Sequence, residues 1–240
     1  MQASDAIEAA IRALGDPERA EGSKRYLKSE MEHLGVTNAD VRRVVRERLK
    51  ADRPDHDALI AVATTLWDSG VYDLRLAAVI ALTREVKRLT EDDVPLLERF
   101  FREAKTWALV DPLSTDVMGP LVVRLGLGET LDRWAEDADF WIRRASMLCL
   151  LRPLRAGGGD WDRFARYADA MLDEKEFFIR KAIGWILRDT GRKRPQLVDA
   201  FIAPRTHRAS GVTMREVIKV LPEARATALM DAYRAKRPVA

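Results

Sequence analysis

The chain has 240 residues, a net charge of +3, 47% hydrophobic residues and 33% charged residues, a balance that indicates a folded protein long enough for one extended domain or two small ones. A single cysteine, Cys149, excludes an internal disulfide and any cysteine-based metal cluster, and three scattered histidines (His33, His56 and His207) offer no metal-ligand spacing. No apolar run approaches the roughly 18 residues of a membrane span. Met1 to Gly15 also lacks the basic start and apolar block of a leader, so the expected location is the cytoplasm.

Apolar residues recur at helical spacing almost throughout. In chain order they are Ile7, Ile11 and Leu14; Val41, Val44, Val45 and Leu49; Leu59, Val62, Ala63 and Leu66; Leu74, Ala77, Ala78 and Leu82. Helix breaks are predicted at Gly15-Asp16-Pro17, Gly35, Asp52-Arg53-Pro54, Ser69-Gly70, Gly126 to Gly128, Gly157 to Gly159, Gly191 to Pro195 and Ala203 to Gly211. No Lys-Ser/Thr pair follows the triple glycine, so that stretch reads as a loop and not as a phosphate cradle. Cys149, within the apolar run Met147 to Leu151, reads as core.

An internal repeat appears when Asp73-Leu74-Arg75-Leu76-Ala77, Trp141-Ile142-Arg143-Arg144-Ala145 and Phe178-Ile179-Arg180-Lys181-Ala182 are aligned, with Thr213-Met214-Arg215-Glu216-Val217 as a weaker fourth copy. Residues 73 and 141 lie two periods of 34 apart, so Trp107 should open another copy, whose alanine column falls on Asp111. Helix pairs at this period describe an all-α fold: an α-solenoid of HEAT-like repeats, one domain over residues 1–240, with its inner helices lining a curved, concave groove. The pattern Trp-x-x-Leu-Gly-x-x-Tyr of tetratricopeptide repeats is missing. Arg75, Arg143, Arg180 and Arg215 share one column, which in such arrays reads as a structural ladder to acidic turn residues. The segment from Lys175 to Ala240 holds fifteen Lys/Arg against six Asp/Glu, a charge of +9 against −6 for the remainder. That end is a candidate anion-binding surface, or simply a solvated charged face.

If the repeats superpose, Asp111, Arg144 and Trp185 fall at nearby positions on successive inner helices, and Trp107 lies one turn before Asp111. A carboxylate, two indoles and a guanidinium suit a cationic aromatic ligand on a phosphate backbone. Each indole face attracts a cation by about 0.5 to 2 kcal/mol, a carboxylate can stabilise an oxocarbenium-like sugar, and an arginine can hold a phosphate. The same residues also have plainer readings. Asp111 before Pro112 fits a helix N-cap followed by a first-turn proline, and either tryptophan alone fits a core position.

Tyr26-Leu27-Lys28 with Leu34-Gly35-Val36, Trp107-x-x-x-Asp111, Phe140 to Ala145 and, above all, Lys175 to Arg188 (KEFFIRKAIGWILR) resemble the AlkD-type DNA alkylation repair proteins, which are alkylpurine DNA glycosylases of HEAT-like repeats. The resemblance runs from about residue 17 to about residue 221. It implies hydrolysis of the N-glycosidic bond of cationic N3- or N7-alkylated purines in duplex DNA, without a cofactor, metal or covalent lysine intermediate, and without the base flipping of most base-processing enzymes. Asp111 matches the family's catalytic carboxylate, Trp107 and Trp185 the tryptophans at the lesion sugar, Arg144 a backbone contact and Tyr26 an aromatic that approaches the DNA. An alkylated purine leaves as a neutral base, so no general acid is required. Lys28, Arg42, Lys181, Arg188 and the Arg192-Lys193-Arg194 cluster are candidates for phosphate binding. Pro112 departs from the family pattern; it deletes a backbone donor and disfavours helical geometry at Asp111. The expected protein is a monomer that joins the nucleoid when bound to double-stranded DNA. Two other classes remain open: a non-catalytic HEAT-like binder of DNA structures and a protein-interaction scaffold.

Overall fold

The computed structural model describes residues 3–235, which form an all-α, solenoid-like fold of paired helices. The chain divides into two compact units, one ending at Gly126 and one beginning at Leu127. The N-terminal unit contains α1 (Ala3–Arg12), α2 (Pro17–Leu27), α3 (Asn38–Asp52), α4 (His56–Asp68), α5 (Tyr72–Arg84), α6 (Val94–Ala104), α7 (Trp107–Pro112) and α8 (Gly119–Leu125). The C-terminal unit contains α9 (Gly128–Ala135), α10 (Phe140–Leu148), α11 (Leu151–Arg155), α12 (Trp161–Ala170), α13 (Phe177–Gly191), α14 (Pro195–Ile202), α15 (Gly211–Val217) and α16 (Glu223–Ala235). Among the described residues no helix is long and apolar enough to cross a membrane, and no cluster of metal-ligating side chains occurs.

In the N-terminal unit α5 packs against α3, α4 and α7, and every residue from Leu76 to Leu82 is buried. That burial on all sides explains why its sequence is nearly continuously apolar and not striped. Trp67 stacks on Phe100 at 4.2 Å between ring centroids, and its indole Nε1 donates to Glu103 at 2.8 Å. Gly35 has φ +74, and a Cβ there would stand 2.2 Å from the Asp16 carbonyl oxygen and 2.5 Å from the Ala20 nitrogen. Only glycine lets this turn lie so close to the start of α2. The flanking amides of Leu34 and Val36 both donate to the buried carboxylate of Asp73, at 2.7 and 3.0 Å. The motif Leu34-Gly35-Val36 and the first residue of the repeat column therefore belong to one structural device.

The repeat register read from the sequence matches the helix starts. Asp73, Trp141 and Phe178 are the second residues of α5, α10 and α13, and Trp107 opens α7 as the period of 34 requires. The alanines of the column, Ala77, Ala145 and Ala182, are fully buried. The arginine column is a ladder in three of its four copies. Arg75 donates to the carbonyls of Trp67 (3.0 Å) and Glu103 (2.7 Å). Arg143 donates to the Asp137 carbonyl (2.6 Å) and pairs bidentately with Glu174 (3.0 and 2.8 Å), while Arg180 donates to the Glu174 carbonyl (2.6 Å). Arg143 and Arg180 thereby satisfy orphan carbonyls in the turn before their own helices, and Arg75 those in the last turns of α4 and α6.

The core of the C-terminal unit includes the fully buried Trp134 and Phe164. Nearby, Asp132 accepts from both Arg163 (3.1 Å) and the Tyr167 hydroxyl (2.5 Å), which tie α9 to α12. Hydrogen bonds from Arg163, then from Tyr167, hold the Asp132 carboxyl below its ordinary value of 3.8. A carboxyl with a lowered folded-state pKa adds stability above its unfolded value, and that stability disappears as pH falls through the lowered value. Asp132→Asn is therefore expected to lower Tm at pH 7, and the gap to wild type should begin to narrow below about pH 3.8 and close as pH falls through the lowered value. Thermal melts across the acid range read this directly. Cys149 is buried, and burial alone pushes its thiol pKa up, as a core role requires.

Candidate active site

Helix α7 is capped by Thr106, whose side-chain oxygen accepts from the Ala108 amide, and runs through Asp111 and Pro112. Asp111 is thus not the N-cap; the true cap lies five residues earlier. Nor does Pro112 remove the helical geometry at Asp111. The proline has no amide to offer the Ala108 carbonyl, but the next amide, that of Leu113, donates to the carbonyls of Leu109 and Val110. From Leu113 to Met118 the backbone widens into a π-helical turn, in which Gly119 donates five residues back to Ser114, before α8 continues. Pro112 and Pro120 bracket this turn. Removing an amide at each end of one turn explains why the regular ladder gives way there, and such wide turns recur at functional sites. The Ser114 hydroxyl donates to the Val110 carbonyl at 2.7 Å and fixes the turn from inside.

Trp107 and Asp111 stand one turn apart on α7, both half-buried. The ring of Tyr26, at the end of α2 and 75% exposed, meets the Trp107 indole edge-on, with centroids 6.1 Å apart and planes at 79°. Behind this pair lies an open cavity of about 390 Å³, lined by Tyr26, Tyr72, Trp107, Ser23, Arg19 and Asn38 among others. Gly35, Val36 and Asp73, from the clamp on residues 34–36, belong to its lining. Burial, then the nearby Asp73 charge, pushes the Tyr72 hydroxyl up to about 12, so it stays protonated. Lys28 follows α2 in the left-handed region (φ 50), and it and Arg42 on α3 are exposed.

In the C-terminal unit, Trp185 lies on α13, half-buried, and its Nε1 donates to Asp189 one turn later at 3.0 Å. Asp189 is buried and also receives Arg155 (2.8 Å) and Arg188 (3.2 Å). Arg188 bonds Glu216 as well, and Glu216 pairs with Lys219 (3.1 Å) and Lys181 (3.6 Å). Hydrogen bonds from Lys219 and Arg188 outweigh burial and hold the Glu216 carboxyl low. Arg144, on α10, is buried, donates to the Phe178 carbonyl and lies 5.9 Å from the Phe178 ring centroid. This guanidinium links α10 to α13 and is not displayed on the surface.

A family profile described as DNA alkylation repair enzyme matches residues 7–221. The chain belongs to the DNA alkylation repair enzyme family. Membership gives it a role in DNA alkylation repair, with DNA as its partner. Among solved structures, the chain is similar to a protein described as a predicted DNA alkylation repair enzyme from Enterococcus faecalis, at 22% identity and a TM-score of 0.78, covering 87% of this chain and 97% of that one. That likeness supports the all-α fold. A comparison with curated proteins found no match.

For a repair enzyme of this family, two further residues stand out that sequence reading passed over, Asp189 and Glu216. Asp189 lies one position beyond the Lys175 to Arg188 block, and the spacing Trp185-x-x-x-Asp189 repeats that of Trp107-x-x-x-Asp111. The signal was present in the spacing. Glu216 could be found only in three dimensions, because its partners Arg188 and Lys181 lie on another helix.

Proposed function

We propose that this protein is a monofunctional DNA glycosylase that hydrolyses the N-glycosidic bond of cationic N3- or N7-alkylated purines in duplex DNA, without flipping the base. The observation that carries this reading is the placement of Trp107 and Asp111 one turn apart on a helix held by Thr106 at one end and a π-helical turn at the other. In the proposed step the bond between C1′ and the purine nitrogen breaks with both electrons going to the base, which departs neutral. Positive charge develops on the sugar, and the Asp111 carboxylate stabilises it. Water adds to C1′ and releases its proton to solvent, leaving an abasic site.

Trp107 and Trp185 are assigned to the lesion sugar and its cationic base, which their indole faces attract. Tyr26, Lys28, Arg42, Lys181 and Arg188 are assigned to DNA binding. Arg144, buried against Phe178, contributes its positive charge and the positioning of α13. Family membership and the basic C-terminal third both support DNA as the partner. No cofactor enters the scheme, and the protein acts as a monomer and a single repeat domain.

The leaving group decides which lesions react. Duplexes carrying 7-methylguanine should lose that base, whereas duplexes carrying uracil or 8-oxoguanine, whose bases would depart as anions, should remain intact under the same conditions. A glycosylase assay with the three substrates reads this. Equal release of neutral and cationic bases would refute the role given to Asp111, because such a reaction requires a proton donor.

A further inference from the structure

The arginine ladder breaks at its last rung, and the break leaves a cavity. Six residues before the last three arginines of the column stand Asp137 (for Arg143), Glu174 (for Arg180) and Ala209 (for Arg215). The Asp137 and Glu174 carbonyls accept from their own arginines, and the Glu174 carboxylate also closes bidentately on Arg143 of the preceding repeat. By the same geometry a carboxylate at position 209 would close on Arg180 and meet Arg215. The residue there is a buried alanine. In its place is an open cavity of about 410 Å³ lined by Arg180, His207, Arg208, Ala209, Arg215 and Tyr233, together with Ser210, Gly211 and Val212, and among the described residues no carboxylate belongs to the lining.

The charge of this cavity is only partly neutralised. Arg208 is held by Asp169 and Asp173, and Arg180 makes one bond to the Glu174 carbonyl. Arg215 is exposed, and it forms no hydrogen bond or ion pair among the described residues. One repeat earlier, the ladder arginine Arg143 is closed by an oxyanion, the Glu174 carboxylate, whose backbone carbonyl accepts from Arg180. We propose that this cavity is a phosphate-binding site, in which an external phosphate group takes the seat on Arg180 that corresponds to the one the Glu174 carboxylate occupies on Arg143, with Arg215 at its side. A phosphate suits the seat because its tetrahedral oxygens, bearing one negative charge in a diester and nearly two in a monoester, can accept from several guanidinium donors at once. The phosphate belongs either to the DNA backbone or to a small phosphorylated ligand, and the chemistry of the seat is the same for both.

The test is titration of inorganic phosphate into the full chain, followed by calorimetry or amide chemical shifts, with chloride at matched ionic strength as the control. Wild type should bind phosphate saturably. Arg215→Ala, at an exposed position, should fold normally and bind about tenfold more weakly, as expected for a lost charged hydrogen bond. Ala209→Glu, which supplies the missing carboxylate, should abolish binding by occupying the seat internally. A duplex titration then separates the sources. If the phosphate is that of DNA, Arg215→Ala weakens duplex binding and reduces the salt slope by about one; if it belongs to a small ligand, duplex binding is unchanged while phosphate binding weakens about tenfold. No saturable phosphate binding by wild type, or identical binding by wild type and Arg215→Ala, overturns the proposal.

Discussion

Asp111→Asn is expected to lower the rate of 7-methylguanine release roughly 10²–10³-fold while leaving duplex affinity unchanged or slightly improved. The substitution keeps the shape of the side chain and removes its charge. A carboxylate about 4 Å from a developing positive charge, at an effective dielectric constant of about 20, is worth about 4 kcal/mol, and each 1.36 kcal/mol lost from the transition state costs about tenfold in rate. Because Asp111 is half-buried, the lower part of that range is the safer expectation. DNA is polyanionic, so losing a negative charge gives no reason for binding to weaken. Single-turnover release of base at saturating enzyme, with duplex affinity measured in parallel, separates the two quantities. A parallel fall in affinity and rate would assign Asp111 to binding.

Asp73→Ala is expected to destabilise the protein by about 3 kcal/mol, since two backbone amides would lose a buried charged acceptor. For a chain of this size that corresponds to a Tm lower by roughly 10 °C. Asp73 is 2% exposed, and it alone receives the Leu34 and Val36 amides that flank the left-handed Gly35. The loss is therefore predicted to extend to the cavity behind Tyr26 and Trp107, whose lining includes Gly35, Val36 and Asp73. Asp73→Asn should fall between the two proteins, because an amide presents one acceptor where the carboxylate presents two. Thermal melts of the three proteins give the order, and equal Tm for wild type and Asp73→Ala would show that the turn is held by other contacts.

The sequence made the repeat register legible because burial imposes it. Alanines at 77, 145 and 182 are required where helices meet closely, and counting from them placed the start of a helix at Trp107, where α7 begins. Glycine and proline breaks were equally readable at Gly35, Gly70, Gly126 and Gly159, all of which have positive φ. The ladder role of the arginine column was also visible, apart from its broken last rung. Pro112 was less readable, since a local rule places the residue before proline outside a helix. Here tertiary packing and the wider turn from Leu113 to Met118 keep Asp111 helical. Arg144 illustrates a different gap. Its sequence register says which helix carries it, but its burial and its bond to the Phe178 carbonyl arise from contacts between helices. The Glu216 network depends on contacts between helices and was beyond any single-sequence pattern, whereas the spacing Trp185-x-x-x-Asp189 was readable within one helix.

The most direct measurement is chromatographic identification of the small molecules released when the wild-type protein is incubated with methylated duplex DNA. Glycosylase action predicts free 7-methylguanine and 3-methyladenine in solution, with one abasic site in the strand for each base released. Duplex binding with every methylated base still attached to its sugar, or recovery of unmodified guanine within the strand, would contradict N-glycosidic hydrolysis.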